Sequence, residues 1–226
     1  MNSNEIAAMR RNYTLAGLTE QNTHANPFIQ FRLWFEEAKV AQILEPNAMT
    51  LSTVSPEGQP EARIVLLKDF DERGFVFFTN YDSSKGRAIA GNPRVCLLFF
   101  WGELERQVRI NGFAAKISRE ESDEYFQSRP RESRIGAWTS NQSAVISGRG
   151  ILEERFETLT TEYAGKDVPI PPYWGGYRVE PKTIEFWQGR ESRLHDRLLY
   201  ERRTDANRTD GNEVNTHGWS LVRLSP

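Results

Sequence analysis

Two consecutive runs, RVCLLFFW at Arg94–Trp101 and ERQVRINGFAAKI at Glu105–Ile117, are typical of neighbouring β-strands. The first run is apolar almost throughout, which predicts a strand that is buried on both of its faces. It contains the single cysteine of the chain, Cys96, so neither an intrachain disulfide nor a cysteine-rich zinc site is possible. We interpret Cys96 as a small buried apolar side chain rather than as a nucleophile.

More short strands and several helices are predicted on both sides of this pair. The further strands are Met49–Ser55, Arg63–Lys68, Phe75–Thr79, Tyr177–Trp187, Arg193–Glu201 and Trp219–Leu224. The helices are one that opens at Asn26-Pro27 and ends before Pro46, then Ser84–Ala90, Ser118–Gln127, Glu132–Trp138 and Ile151–Tyr163. This order predicts a mainly β protein with flanking helices, an α+β fold centred on a β-barrel. Because the chain has no glycine-rich dinucleotide motif and no P-loop motif, Rossmann and P-loop folds are disfavoured.

Composition limits the classes of partner. The 226 residues include 29 Lys+Arg and 31 Asp+Glu, a balance that argues against general nucleic-acid binding. No apolar run reaches the ~20 residues of a membrane-spanning helix. Met1–Arg11 is polar and has no segment of signal-peptide type, so we expect a cytoplasmic protein. We predict a mobile N-terminal arm at residues 1–25 and a single domain at residues 26–226.

The segment RLHDR at 193–197 is the first candidate for binding chemistry. On a strand, Arg193, His195 and Arg197 would share one face, and such a row suits a planar anionic ligand. The ordinary alternative is a solvated strand face. Trp187, just upstream, could cover a flat cofactor or could simply pack in the core.

Three other elements could bind phosphate groups. Arg63–Lys68 places cations at both ends of an apolar strand, and Thr79–Lys85 combines hydroxyls, a lysine and a helix start. Tyr125 and Arg129 are spaced to share one helix face, with Ser133 just beyond the break at Pro130. Each element also has an ordinary interpretation, as a strand end or a polar helix end.

Taken together, these elements resemble the pyridoxamine 5'-phosphate oxidase family over nearly the whole chain, from about Arg10 to Pro226. The resemblance is carried by Arg63–Lys68, Phe78-Thr79-Asn80, Leu104–Val108, Tyr125–Ser133, Ile135–Trp138, Gln142-Ser143, Ile184–Gly189 and Arg193–Arg197. The run from Ile184 to Arg197 and the context Arg129-Pro130-Arg131 are its most specific parts.

The resemblance implies a split β-barrel and a homodimer with FMN bound at the subunit interface. It implies flavin contacts at Arg63, Ile64, Val65, Leu66, Leu67, Lys68, Phe78, Thr79, Ser84, Lys85, Gln107, Gln142, Ser143, Trp187 and Arg197. It implies substrate contacts at Arg10, Arg11, Asn12, Tyr13, Lys68, Tyr125, Arg129, Ser133, Arg193, Leu194 and His195, with Arg193 and His195 as the catalytic pair. It implies no metal, nucleic acid or membrane.

The activity implied is FMN-dependent oxidation of pyridoxamine 5'-phosphate and pyridoxine 5'-phosphate to pyridoxal 5'-phosphate. Hydride would pass from the substrate C4' atom to the flavin N5 atom, and dioxygen would accept the electrons to give hydrogen peroxide. The alternatives are another split-barrel flavin or deazaflavin-dependent reductase, and a non-catalytic flavin- or pyridoxal-phosphate-binding protein. An oxidase needs the Tyr125, Arg129 and Ser133 group for its substrate, whereas such reductases do not.

Some positions depart from the family pattern or do not fit a simple strand. Ser84 stands where the family commonly has Arg, and Phe78 where it commonly has Tyr. The Thr204–Gly218 excursion is longer than usual. Arg63 and Lys68 are five positions apart, so a regular strand would point them to opposite faces. A bend or strand end near Lys68, or a ligand edge that wraps the strand, would resolve this, and the sequence does not distinguish among them.

Overall fold

A computed structural model describes residues 13–15, 17–203 and 218–226 of the chain. The predicted substrate residues Arg10, Arg11 and Asn12 lie outside the described residues, as does the 204–217 part of the Thr204–Gly218 excursion. Within the described residues, no helix is both long enough and apolar enough to cross a membrane.

Strands dominate the described chain. They are β1 (Ala48–Val54), β2 (Pro60–Leu66), β3 (Asp69–Asp71), β4 (Gly74–Asn80), β5 (Arg94–Trp101), β6 (Arg106–Lys116), β7 (Trp174–Gln188), β8 (Asp196–Arg202) and β9 (Trp219–Arg223). The α-helices are α1 (Pro27–Val40), α2 (Ser84–Gly91), α3 (Arg119–Ser128), α4 (Arg131–Thr139) and α5 (Gly150–Glu162). The predicted mainly β fold with flanking helices is confirmed.

The strands pair in the order β2-β1-β5-β6-β7-β4-β3, and β8 pairs with the far part of β7 and with β9. The β3–β4, β4–β7, β7–β8 and β8–β9 pairs are antiparallel. β7 is long enough to pair with three strands: β6, β4 along its first half and β8 along its second half.

The chain divides into two compact units. Unit 1 comprises the described residues of Met1–Met49, Leu97–Asn111 and Pro181–Pro226, and unit 2 comprises Thr50–Cys96 and Gly112–Glu180. The division into a mobile N-terminal arm at residues 1–25 and a single domain at residues 26–226 stays a prediction.

Aromatic packing on α1 forms the core of unit 1. The Asn26 side chain caps the helix by accepting a hydrogen bond from Phe28 N–H at 2.9 Å. Phe31 and Trp34, one turn apart, are buried against rings of the sheet, with Phe31 packing on Phe99 and Trp34 on Phe186. The 3.6-residue period of this apolar stripe is why the helix could be predicted.

In unit 2, the β4–β7 ladder provides the main framework. Phe77 lies opposite Tyr177 and stacks on it with ring centroids 5.7 Å apart. Gly74 turns the chain from β3 into β4 with φ 140°, and a Cβ atom there would lie 2.1 Å from the Val179 carbonyl oxygen. Only glycine fits this close approach of the hairpin to β7.

The prediction that β5 is buried on both faces is wrong. Val95, Leu97, Phe99 and Trp101 are buried, whereas Phe100 is 63% exposed. Alternate residues of a strand point to opposite faces, and the described residues bury one face of β5 fully and the other only in part. Cys96 lies on the less covered face and is half-buried rather than fully buried.

Candidate active site

A cleft of about 680 Å³ in unit 2 is lined by many of the residues predicted from sequence. Those residues are Ile64, Val65, Leu66, Lys68, Phe78, Thr79, Lys85, Tyr125, Arg129, Ser133 and Gln142. They come from β2, β4, α2, α3, α4 and the loop after α4, so residues far apart in sequence meet in one place.

The end of β2 explains how Lys68 reaches the cleft. β2 stops at Leu66 and β3 starts at Asp69, so Lys68 lies on the link between them, where its N–H donates to the Val76 carbonyl at 2.9 Å. The strand ends at Leu66, two residues before the end of the predicted Arg63–Lys68 strand, which is one of the three resolutions that the sequence left open. Arg63, five residues earlier, is not among the lining residues. Its guanidinium donates to the Thr53 hydroxyl and the Glu61 carboxylate, at 2.6 and 2.7 Å.

Arg129 is the most constrained cation of the cleft. It caps the C-terminus of α3, and its guanidinium lies over the Trp174 ring, 4.8 Å from the centroid. Its Nη1 atom is buried and has no hydrogen-bond partner in the described structure. Burial lowers the pKa of Arg129, which means that the folded surroundings disfavour its charge. An anionic acceptor in the cleft would satisfy both the charge and the donor.

Stacked rings form one wall of the cleft. The Phe78 ring lies 3.9 Å from that of Tyr125 and 5.4 Å from that of Trp174, both nearly parallel. This packing uses only the ring of Phe78, so it does not depend on the hydroxyl that a tyrosine would add. Trp174 also packs on Phe126 in the adjacent apolar cluster, so the wall is held rigidly.

Lys85 lies in the first turn of α2, at a helix N-terminus that favours anions. Its ammonium donates to the Gln142 side-chain oxygen at 2.7 Å. Burial, together with the positive charge of Arg63, lowers the pKa of Lys85. Ser84 N–H donates to the Ser143 hydroxyl at 3.2 Å, which joins α2 to the loop after α4, although neither serine lines the cleft.

The charge of the cleft is one-sided. Lys68, Lys85 and Arg129 line it, and no Asp or Glu is among the described lining residues. Cations without neighbouring carboxylates are unfavourable unless an anion is present, and phosphate groups are the anions that Lys and Arg bind best. The cleft therefore has the chemistry of a site for phosphorylated, flat ligands.

A second group of predicted residues lies in unit 1. The Tyr13 ring packs edge-on against Trp187 and His195, with centroids 5.7 and 5.6 Å apart, and Trp187 and His195 lie 4.6 Å apart. On the adjacent strand β8, Arg197 donates from Nε to the Glu185 carboxylate at 2.8 Å.

The prediction that Arg193, His195 and Arg197 share a strand face is wrong. β8 begins only at Asp196, and a 3-10 turn at Glu191–Arg193 precedes it. Ser192 and Arg193 have φ of 55° and 62°, a left-handed backbone that no strand accommodates. Arg193 is exposed, and Leu194 is 69% exposed.

His195 keeps a defined hydrogen bond despite this irregular backbone. Its Nδ1 atom accepts the Arg190 N–H at 3.1 Å. Burial, together with the charge of Arg193, lowers the pKa of His195. A neutral imidazole whose Nδ1 accepts a hydrogen bond carries its proton on Nε2, so His195 is set to donate from Nε2.

Several predicted residues are not brought into the cleft. Those outside its lining are Arg63, Leu67, Ser84, Gln107, Ser143, Trp187, Arg193, Leu194, His195 and Arg197, together with Tyr13 in unit 1. Leu67 is 5% exposed and belongs to the core. Among the described residues, no group of three or more His, Cys, Asp or Glu side chains is placed to hold a metal ion.

Sequence reasoning missed two residues that support these groups. Trp174 stacks beneath Arg129, and Glu185, only 3% exposed in its side chain, pairs with Arg197 and Arg109. A carboxylate between Ile184 and Phe186 in an apolar strand was the available signal, since buried carboxylates are almost always paired.

The comparisons with known proteins agree with one another. The family model described as pyridoxamine 5'-phosphate oxidase matches residues 35–163. The model described as pyridoxine 5'-phosphate oxidase C-terminal dimerisation region matches residues 174–226. Two curated relatives named pyridoxine/pyridoxamine 5'-phosphate oxidase are similar over 221 residues. The one from Gloeothece citriformis is 58% identical and covers 98% of both chains. The one from Burkholderia thailandensis is 57% identical and covers 98% of this chain and 99% of its own.

Solved structures confirm the split-barrel fold. PhzG from Burkholderia lata, in complex with tetrahydrophenazine-1-carboxylic acid, has a TM-score of 0.83 and 28% identity, and covers 94% of this chain and 99% of its own. An FMN-binding protein from Nostoc punctiforme, described as related to pyridoxamine 5'-phosphate oxidase, has a TM-score of 0.65 and 18% identity, over 87% and 97% of the two chains. With a matching fold, two matching family models and relatives identical at more than half of their positions, the chain belongs to the pyridoxamine 5'-phosphate oxidase family of flavin-dependent oxidoreductases.

Proposed function

We propose that the protein oxidises pyridoxamine 5'-phosphate and pyridoxine 5'-phosphate to pyridoxal 5'-phosphate, with FMN as cofactor and dioxygen as electron acceptor. The observation that carries this proposal is the cleft of unit 2, where Lys68, Lys85 and Arg129 meet without a carboxylate among the described lining residues. The buried, unpartnered Nη1 of Arg129 fits a phosphate oxygen. The names of the similar curated proteins support the same substrates.

FMN, when bound, would supply the redox chemistry, namely acceptance of hydride from C4' of the substrate at N5 and reoxidation by dioxygen to give hydrogen peroxide. The residues proposed to hold its phosphate are Lys85, at the N-terminus of α2, and Arg63, whose guanidinium in this structure lies outside the cleft lining and donates to Thr53 and Glu61. Thr79 and Gln142 join them, since the Thr79 hydroxyl lies 3.4 Å from the Gln142 side-chain oxygen.

The substrate phosphate would be bound by Lys68, Tyr125, Arg129 and Ser133, which all line the cleft. These side chains act far from the reacting carbon, so their role is to orient the substrate rather than to react with it. Fixing a flat substrate by its phosphate turns binding energy into alignment, which can contribute ~7–11 kcal/mol in well-oriented systems. The parallel rings of Phe78, Tyr125 and Trp174 keep this wall of the cleft rigid.

Arg193 and His195 are the proposed catalytic pair, and their environment favours binding over proton abstraction. His195 presents its proton on Nε2, because its Nδ1 already accepts the Arg190 N–H. It would therefore donate a hydrogen bond to the amine nitrogen of pyridoxamine 5'-phosphate or to the alcohol oxygen of pyridoxine 5'-phosphate. The exposed guanidinium of Arg193 leaves it available to cover the substrate's outer face.

We further propose a homodimer with FMN at the subunit interface. Trp187, His195 and Arg197 lie within the segment that matches the dimerisation-region model, which supports a flavin site built from two subunits. A cytoplasmic location stays a prediction. It is supported by the single cysteine, Cys96, because a chain that forms no intrachain disulfide suits a reducing compartment.

The test uses the purified protein in air. Yellow holoprotein supplied with pyridoxamine 5'-phosphate should form pyridoxal 5'-phosphate and hydrogen peroxide in equal amounts. A flavin or deazaflavin reductase would instead consume reduced nicotinamide or reduced deazaflavin and leave pyridoxamine 5'-phosphate unchanged. Active holoprotein of monomer mass in light scattering would contradict the shared flavin site.

A further inference from the structure

Glu105 is a buried carboxylate that none of the roles above uses. It is 2% exposed and follows the 3-10 turn Gly102–Leu104, immediately before β6. Its backbone is left-handed, with φ 56°, a conformation that a residue with a side chain adopts only where its surroundings require it. A buried charge in such a position is expected to have specific partners.

Those partners belong to the N-terminal segment. The Oε2 atom of Glu105 accepts the backbone N–H groups of Thr14 at 2.9 Å and Leu15 at 3.2 Å, across about 90 residues of sequence. Hydrogen bonds to an ionised acceptor are stronger than those between neutral groups. One carboxylate therefore fixes the path of the chain directly after Tyr13.

The position of the Tyr13 ring depends on the same residue in a second way. The Glu105 carbonyl accepts the Gly189 N–H at 2.7 Å, and a Cβ atom at Gly189 would lie 2.7 Å from Cγ of Tyr13. The space for the ring thus exists because position 189 has no side chain. Glu105 holds the backbone on both sides of this space, by its carboxylate on one side and by its carbonyl on the other.

We propose that Glu105 is a positioning residue that holds Tyr13 against Trp187 and His195. Its effect on turnover rests on the proposed function, whereas its effect on the N-terminal segment does not. Separate contacts hold the next part of that segment, since Leu18 N–H donates to Asp196 at 3.0 Å and Arg223 pairs with Glu20 at 2.9 Å. Loss of the Glu105 carboxylate should therefore release residues 13–15 and leave residues 18–20 in place.

The experiment is hydrogen exchange by mass spectrometry on the holoprotein and on its Glu105→Gln variant. We expect the Thr14 and Leu15 amides to exchange at least about tenfold faster in the variant, because a charged acceptor becomes a neutral one. The Leu18–Glu20 amides should exchange as before. Glu103→Gln is the matched control, since it removes an exposed carboxylate from the same turn. Unchanged exchange at Thr14 and Leu15 would overturn the proposal.

Kinetics provide a second, independent measurement. If Glu105 acts through Tyr13, the double variant Tyr13→Ala/Glu105→Gln should turn over pyridoxamine 5'-phosphate no more slowly than Tyr13→Ala alone. If the double variant instead loses turnover by the product of the two single-variant factors, Glu105 acts by a route other than Tyr13. A protein that exchanges as expected but does not oxidise pyridoxamine 5'-phosphate would refute the proposed function and retain the positioning role.

If Glu105→Gln does not fold, a variant at Gly189, on the other side of the space that holds the Tyr13 ring, provides the test. In Gly189→Ala the added methyl group would displace the Tyr13 ring and leave the Glu105 carboxylate unaltered. We expect exchange at Thr14 and Leu15 to stay slow in this variant, because the carboxylate that accepts both amides is intact. Faster exchange there would show that packing of the Tyr13 ring, and not Glu105, holds the segment, and would overturn the proposal.

Discussion

Replacing Arg129 with methionine should weaken substrate binding without lowering the stability of the protein. The guanidinium lies over the Trp174 ring, its Nη1 atom is buried without a partner in the described structure, and partial burial lowers its pKa. The folded protein without ligand therefore gains little from this charge. Methionine fills a similar volume and packs well on an aromatic ring, so the free energy of unfolding should change by no more than about 1 kcal/mol.

The loss in binding can be estimated from the hydrogen bond that Arg129 would make to the substrate phosphate. A hydrogen bond involving charged groups contributes about 1.5–3 kcal/mol, which corresponds to roughly a 10- to 150-fold change in affinity. We expect KM for pyridoxamine 5'-phosphate to rise by that factor. FMN affinity should be retained, because Lys85 and Arg63 are the residues proposed to hold its phosphate.

The assay is steady-state peroxide formation against pyridoxamine 5'-phosphate concentration, with flavin titration of the apoprotein and thermal unfolding of each variant. Arg149→Met is the control, since the Arg149 side chain is 86% exposed and lies outside the cleft. An unchanged KM, or a loss of FMN affinity equal to the rise in KM, would refute the assignment of Arg129 to the substrate phosphate.

Three further predictions follow from the contacts of unit 1. Glu185→Gln removes the carboxylate that holds Arg197, so we expect about tenfold weaker FMN binding by fluorescence titration, and unchanged binding would contradict this role. Folding lowers the pKa of His195 below its usual 6.5, so between these two pKa values the unfolded chain binds more protons than the folded one. The free energy of unfolding measured in urea should therefore fall as the pH drops from 6.5 towards the folded pKa, and His195→Gln should make this fall less steep. Asn26→Ala removes the α1 cap bond to Phe28 N–H and should cost about 1 kcal/mol, or roughly 2–4 °C in Tm, in thermal unfolding.

The elements that were predicted well are those specified by local chemistry. Asn26 caps α1 and Ser118 caps α3, each through a hydrogen bond to a backbone N–H two or three residues ahead. These bonds need no distant partner, so capping residues mark helix starts in any chain. Strand positions were predicted for the same reason, because an alternating apolar pattern is a local property.

The predictions that failed required knowledge of the surroundings. Arg193 and His195 have the spacing of a strand face, but the left-handed backbone at Ser192 and Arg193 delays the strand to Asp196. Burial of β5 on both faces was inferred from its apolar sequence, although the described part of the chain buries only one of its faces fully. Residue spacing alone shows neither that a turn will delay a strand nor which face of a strand other elements will bury.

The amino-acid sequence by itself determined the residue types, the helix caps, the strand pattern and the family resemblance, since all of these are read within a few neighbouring residues. Only the tertiary structure decided that Lys68, Lys85 and Arg129 meet in one cleft without a carboxylate among its described residues, and that Glu105 binds Thr14 and Leu15. The physical reason is that contacts between distant segments depend on how strand ends, bends and packed rings combine. Their energies are set by burial, which exists only once the chain has folded.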